Sequence, residues 1–245
     1  MPIQKVAKIW MDGELVAWDE AKIHILTHTL HYGSGVFEGI RAYETKEGTA
    51  VFRLTDHLKR FFRSARIYRT EIPYSLADLV AATKETIRVN NIKSCYIRPI
   101  AFRGYGEMGL NPLNAPVNVS IAVWPWGTYL GEEGIKHGVR VKISSFRRNE
   151  PNVIPPAAKA TGQYLNSILA KIEVVAAGYE EAILLNSAGF VADGSGENVF
   201  VIRNGIISTP PTSAGALEGI TRDSIMKIAR DLGYPVTERN LVRTD

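Results

Sequence analysis

Lys159 sits in "PPAAKATGQYLNS" among alanines, a threonine and a glycine, where an apolar helical pattern begins. A lone lysine is ordinarily a solvated surface residue and says little. Its surroundings say more. Ala157, Ala158, Ala160 and Gly162 let the backbone approach a flat ligand closely. A lysine partly withdrawn from water has its ammonium form disfavoured. The neutral amine is then a nucleophile able to form a Schiff base with an aldehyde. Tyr164, five residues on, could place a phenol beside such a ligand, although core packing is the ordinary use of a tyrosine there.

Four further stretches carry residues of chemical interest. "LEGITRDS" leads through Gly219 into a helix whose first amides, at Ile220 and Thr221, suit a phosphate, with the Thr221 hydroxyl as an added donor. Plain capping explains the same residues as well. "DHLKRFFRSAR" offers Arg60 as a bidentate phosphate clamp, against the simpler reading of a solvated basic helix face. "GFVADGSGENVF" sets Asp193, Glu197 and Asn198 around a glycine-rich turn, which for an isolated motif is just a turn. "CYIRPI" puts Arg98 in an apolar strand beside Tyr96, where it needs an anionic partner, either an internal carboxylate or that of a substrate. His24, His28 and His31 lack the cysteines or carboxylates of a metal site, and no metal is expected. The G-x-S-x-G elbow of a hydrolase and both common nucleotide-binding glycine motifs are absent from the sequence.

These residues need elements to hold them. "KIWMDGELVAWDE" reads as a hairpin turning at Asp12-Gly13. "TDHLKRFFRSARIYR" has helical apolar spacing, with Thr55 as N-cap. "SLADLVAATKETIRVNN" is a second helix with a capping box at Ser75 and Asp78. "SCYIRPIAFRG" and "VNVSIAVWPW" read as strands. Pro125 and the glycines of "WPWGTYLGEEGIKHG" mark a boundary between two α/β domains: 1–125, a loop over 126–134, and 135–245. The second domain starts with a strand in "VRVKISSFRR". A helix from about Thr161 to Ala177 follows, closed by Gly178. Strands in "EEAILLN", "ENVFVIR" and "IISTP" come next, the last two turning at Asn204-Gly205, before a final helix in "GITRDSIMKIARDLGY".

The 245 residues are 45% apolar and 22% charged, a composition that builds a packed core rather than a disordered chain. Net charge is +4, with the basic residues scattered, so no nucleic-acid stripe forms. Cys95 is the sole cysteine, which suits a reducing compartment. With no apolar run near the ~20 residues of a span and no signal-peptide core, the sequence reads as cytoplasmic and apart from membranes.

Together the stretches "HTLHYGSGVFEGIRAY", "HLKRFFRSARIY", "YIRPIAFRG", "WPWGTYLG", "PPAAKATGQYLNS", "GENVF" and "LEGITRDS" closely resemble the branched-chain amino-acid aminotransferases. These belong to the class IV (fold-type IV) pyridoxal-phosphate enzymes. The stretches occur in family order over nearly the whole chain. The resemblance implies a mixed α/β, two-domain fold of the D-amino-acid aminotransferase-like kind, with the cofactor between the domains. It implies Lys159 as the Schiff-base lysine and proton carrier. Arg60 and the Gly219, Ile220 and Thr221 helix start would hold the phosphate. Tyr164 would bond the ring hydroxyl, and Asp193 would pair with the pyridine nitrogen. Tyr32, Phe37, Gly39, Tyr96, Arg98, Leu110, Trp126 and Tyr129 would line the substrate pocket. Gly109-Leu110 would reach a neighbouring subunit's site, implying a homodimer or larger homo-oligomer. The implied reaction is ping-pong transfer of the amino group of leucine, isoleucine or valine to 2-oxoglutarate, in branched-chain amino-acid biosynthesis.

Two departures accompany the resemblance. The family's residue at position 193 is normally glutamate, one methylene longer than Asp193. That implies a shifted cofactor, a bridging water or a weaker electron sink, with Glu197 a poorer substitute because it falls on the "GEN" position. The family also continues past the point matching "NLVRTD" into a "GTAAE"-type loop for phosphate and substrate carboxylate. D-amino-acid transaminases and aminodeoxychorismate lyases share the fold, but "YIRP" with "PWGTYLG" favours the branched-chain type. An inactive cofactor-binding module is the alternative from another class.

Overall fold

The computed structural model describes residues 3–127 and 131–245. The chain forms two compact units, Met1–Gly127 with Ala158–Gly162, and Thr128–Ala157 with Gln163–Asp245.

The first unit begins with β1 (Lys8–Met11) and β2 (Glu14–Ala17). Asp12 and Gly13 both take positive φ, +48° and +99°, which gives the tight hairpin predicted from the Asp-Gly pair. There follow α1 (His28–Tyr32), β3 (Gly35–Phe37), β4 (Ile40–Thr45) and β5 (Gly48–Val51). Next come α2 (Leu54–Ile67), α3 (Leu76–Val89), β6 (Cys95–Arg103) and β7 (Val117–Trp124). The sheet runs β2-β1-β7-β6-β4-β5, with β3 also paired to β6, and its pairings are antiparallel. Val119, Ile121 and Val123 alternate along β7 as the buried set, as a strand with one face on a core requires. Against them pack Leu58 and Phe61 of α2 and Leu79 of α3, all fully buried. Ser75 and Asp78 form the expected capping box on α3. Thr55 does not cap α2: the helix starts one residue earlier, at Leu54, behind Arg53 in the left-handed region, whose Nε reaches Asp56 at 2.7 Å.

Pro99 lies in the middle of β6, where a missing N–H should break the ladder. The register shows how the sheet accommodates it. β4 pairs with Cys95–Ile97 and β3 with Ile100–Phe102. The chain leaves β3 for β4 opposite Pro99, at Glu38 and Gly39. Only the Pro99 carbonyl is used there, accepting from Glu38 N at 2.9 Å.

The second unit holds α4 (Gly131–His137), β8 (Val141–Ile143), α5 (Tyr164–Ala176), β9 (Glu181–Leu185) and β10 (Val191–Gly194). It continues with β11 (Val201–Arg203), β12 (Ile206–Thr209), α6 (Ile220–Asp231) and β13 (Val236–Glu238). Its two small sheets run β10-β9-β8 and β11-β12-β13, and the β8–β9 and β12–β13 pairs are parallel. Ala170 and Val174 of α5 bury against Ala182 and Leu184 of β9. Asn204 and Gly205 turn β11 into β12 with positive φ at both residues, as predicted.

The sequence places the start of α5 near Thr161; the helix begins at Tyr164. Residues 159–162 instead run beside β3 and turn into the helix. Phe37 N donates to Lys159 O (3.0 Å), Thr161 N to Gly35 O (2.8 Å) and Gly162 N to Gly33 O (3.1 Å), around a Val36–Ala160 bridge. A Cβ on Gly33 would lie 2.7 Å from Gly162 Cα, so glycine is required at this crossing. These bonds group Ala158–Gly162 with the first unit and leave Thr161 and Gly162 ahead of the helix. Among the described residues, no helix is long and apolar enough to cross a membrane.

Candidate active site

In the first unit, one stripe of α2 faces the break between β3 and β4. His57, Arg60 and Ser64, spaced i, i+3 and i+7, are all buried. Arg60 is therefore not part of a solvated basic face. Its Nε and Nη2 donate to the two oxygens of Glu38 at 2.7 and 2.8 Å, and His57 Nδ1 lies 2.8 Å from Glu38 Oε2. Glu38 is completely buried. Ser64 Oγ accepts from Lys159 N at 3.0 Å, and Lys159 Nζ stands 5.0 Å from the Phe37 ring centre.

Burial alone would push the Glu38 carboxyl up. The His57 and Arg60 hydrogen bonds, with the charges of Arg60 and Lys159, outweigh it and hold the pKa at about 2, against 4.5 ordinarily. A carboxyl lowered on folding stabilises the native state above its unfolded value and loses that contribution as pH falls through its folded one. Glu38 should thus contribute on the order of 3 kcal/mol at neutral pH, lost between pH 4.5 and about 2. Urea unfolding across that window should show the loss, and a Glu38→Gln variant should show a flatter profile.

Beside this cluster stands an aromatic cage. The Arg98 guanidinium lies 4.7 Å from the Phe37 ring centre, 5.2 Å from Tyr96 and 6.0 Å from Trp124. Arg98 Nη2 donates to the Tyr96 hydroxyl at 3.0 Å, while its buried Nε has no hydrogen-bond partner. Among the described residues Arg98 makes no ion pair, so of the two partners open from sequence the internal carboxylate is excluded within them. Trp126 meets Tyr96 edge-on at 4.6 Å, and Arg41 donates to the Trp126 and Gly127 carbonyls at 3.1 and 2.7 Å. A Cβ on Gly39 would fall 2.1 Å from the Tyr96 hydroxyl, which explains the glycine. Tyr32 is half exposed and stacks on His28 at 4.7 Å. Leu110 is 85% exposed, and the adjacent Gly109 carbonyl lies 3.0 Å from His28 Nε2. Tyr129 lies outside the described residues.

In the second unit, a register shift in β10 between Val191 and Asp193 re-aims Asp193, which is buried. Arg148 binds it through Nε, at 2.8 Å, and through Nη2. The same guanidinium donates to Gly194 O (2.7 Å) and Ser167 Oγ (3.0 Å). Glu197 Oε1 is buried without a hydrogen-bond partner, and burial pushes that carboxyl up, with the Glu181 charge adding to it. Tyr164, the first residue of α5, is half-buried. α6 starts behind Gly219 with no side-chain cap. A Cβ there would fall 1.9 Å from Asn198 Oδ1, while Asn198 Nδ2 holds Leu217 O at 2.9 Å. The "GEN" and "LEG" stretches thus lock together and shape the helix start.

Sequence reasoning missed Glu38, His57 and Arg148. The signal for Glu38 was a carboxylate inside the apolar run "GVFEGI", where burial without a cation is prohibitive. Among the described residues, no three histidine, cysteine or acidic side chains group as a metal site.

A family model described as amino-transferase class IV matches residues 35–245. The chain is 48% identical over 237 residues to the branched-chain-amino-acid aminotransferase of Pseudomonas aeruginosa, covering 97% of this chain and 77% of that one. The crystal structure of the Escherichia coli branched-chain amino acid aminotransferase superposes with a TM-score of 0.96 at 46% identity, over 98% of this chain and 79% of that one. The branched-chain aminotransferase of the thermophilic archaeon Thermoproteus uzoniensis, solved with norvaline, gives 0.93 at 46% identity, over 98% and 80%.

Proposed function

The chain belongs to the class IV aminotransferases, and from that premise we propose that it transfers the amino group of branched-chain L-amino acids to 2-oxoglutarate with pyridoxal 5′-phosphate. The observation that carries the reading is the cage around Arg98. It offers apolar and aromatic walls together with a cationic side chain whose buried Nε has no hydrogen-bond partner. Both partners of the reaction need that combination. Phe37, Tyr96 and Trp126 suit a branched aliphatic side chain, whereas Arg98 and the Tyr96 hydroxyl suit the side-chain carboxylate of glutamate.

The side chains present fit the cofactor. Lys159 provides an amine for its aldehyde, and the buried Arg60 guanidinium a partner for its phosphate. In the second unit, Tyr164 provides a phenol for the ring hydroxyl and Asp193 a carboxylate for the ring nitrogen. The start of α6 at Gly219, Ile220 and Thr221 suits further phosphate oxygens. When bound, this cofactor supplies an electron sink for charge developing at the substrate Cα. The Lys159 amine takes the proton from that Cα and returns it, as general base and then acid. Arg98 and Tyr96 orient the side chain of the amino acid, and the aromatic walls exclude water from it.

An acceptor-dependent assay tests the reading. L-leucine and L-isoleucine should give glutamate from 2-oxoglutarate, and D-alanine should not. Product formed without a keto-acid acceptor, or a preference for D-alanine, would replace this function by a lyase or a D-amino-acid transaminase. Gly39→Ala should push the Tyr96 hydroxyl off Arg98 and lower kcat/KM for L-leucine by roughly 10–100-fold, with little change in thermal stability. An unaltered kcat/KM would remove Arg98 and Tyr96 from the substrate site.

The same reading extends to a cytoplasmic homo-oligomer. The sole cysteine, Cys95, is buried and its thiol is pushed up to about 11, so the chain gains nothing from an oxidising compartment. The exposed Leu110 supplies an apolar surface for a second subunit.

A further inference from the structure

We propose that Glu38 is a positioning residue for this site, aiming the Arg60 guanidinium by a two-point clamp and setting the charge felt by the Lys159 amine. The proposal rests on the cofactor reading given above. Three observations carry it. Glu38 is completely buried, at the point of β6 where Pro99 leaves the ladder open. Arg60 meets it side-on through Nε and Nη2, the arrangement that fixes a guanidinium plane as well as its place. Lys159 is tied to the same two elements, by its carbonyl to Phe37 N and by its amide to Ser64 Oγ, one turn along α2 from Arg60.

The charges around this centre can be named. His57 and Arg60 face Glu38 from α2, and Lys159 adds its charge from the segment beside β3. Arg98 of β6 shares the Phe37 ring with Lys159. Glu38 is the carboxylate among these cations. It offsets their repulsion on the lysine nitrogen, and because Glu38 is completely buried its charge is screened less than that of an exposed carboxylate. The Lys159 carbonyl is bound to Phe37 N, the residue next to Glu38, and an opposite charge beside a titrating group moves its midpoint toward the charged form.

The test is a visible-absorption pH titration of the cofactor-loaded protein, whose colour reports protonation of the nitrogen supplied by Lys159. Glu38→Gln removes the offsetting charge and should lower the midpoint by about one pH unit or more. Glu38→Asp keeps the charge and should leave it near the native value. Arg60→Gln, loaded at saturating cofactor, should raise the midpoint, and it decides the matter if the glutamine variant does not fold. A native band with an unmoved midpoint in either soluble variant overturns this inference while leaving the cofactor reading standing. A native protein with no pH-dependent band overturns the cofactor reading and this inference with it.

Discussion

Lys159→Ala should cost turnover of L-leucine with 2-oxoglutarate by at least roughly 10²–10⁴-fold, the range that a positioned acid–base alone accounts for, and should abolish the visible band of the native protein. The expected loss is large because, in the proposed function, one side chain both anchors the cofactor and carries the proton. The fold should persist. The Lys159 side chain is only half-buried, and the bonds of its backbone to Ser64 and Phe37 do not depend on it. Full turnover in the alanine variant, or a retained band, would remove Lys159 from the chemistry. Added methylamine should restore part of the rate if the missing function is that of an amine.

The second large effect concerns folding. Arg148→Met should destabilise the protein by about 3–5 kcal/mol, read by urea denaturation. The change keeps much of the side-chain length but takes the guanidinium from Asp193, Gly194 O and Ser167 in one step. A buried carboxylate then loses its charge partner, which costs more than the pair contributed. Adding Asp193→Asn to Arg148→Met should recover part of the stability, because the amide carries no charge. It should not recover turnover, because the carboxylate that would hold the ring nitrogen has gone. Loss of under about 1 kcal/mol in the single variant, the range of exposed pairs, would show that Arg148 and Asp193 are not a buried pair in solution.

The Arg148 contact also sharpens the meaning of aspartate at position 193. The side chain is shorter than the glutamate the family resemblance implies. It is also held by a guanidinium that grips the Gly194 carbonyl of the same strand.

Local signals carried much of the fold. Asp12-Gly13 and Asn204-Gly205 specify their hairpins because only left-handed backbone satisfies so tight a turn. The Ser75 and Asp78 spacing specifies the start of α3 because both groups bond within one turn. What failed was non-local. Thr161 and Gly162 look like a helix entry until β3 is beside them, and then backbone bonds to Gly33 and Gly35 win. Three-residue strands such as β3, β8 and β11 are too short to show periodicity of their own.

The site divides the same way. Lys159, Arg60, Tyr164 and the helix start at Gly219 were legible as residue types in suggestive settings. The partners that charge and aim them were not. Glu38 is 22 residues from Arg60, and Arg148 is 45 from Asp193. No spacing rule pairs residues that far apart. Gly39 shows the same limit: its reason is the Tyr96 hydroxyl on another strand.

The most direct measurement is borohydride reduction of the native protein followed by peptide mass mapping. Hydride adds to the carbon–nitrogen double bond joining cofactor and lysine, turning it into a stable secondary amine. A phosphopyridoxyl mass on the peptide carrying Lys159, with bleaching of the visible band, is the predicted result. The same mass on another lysine, or no labelled peptide from a protein that turns over L-leucine, would contradict the account.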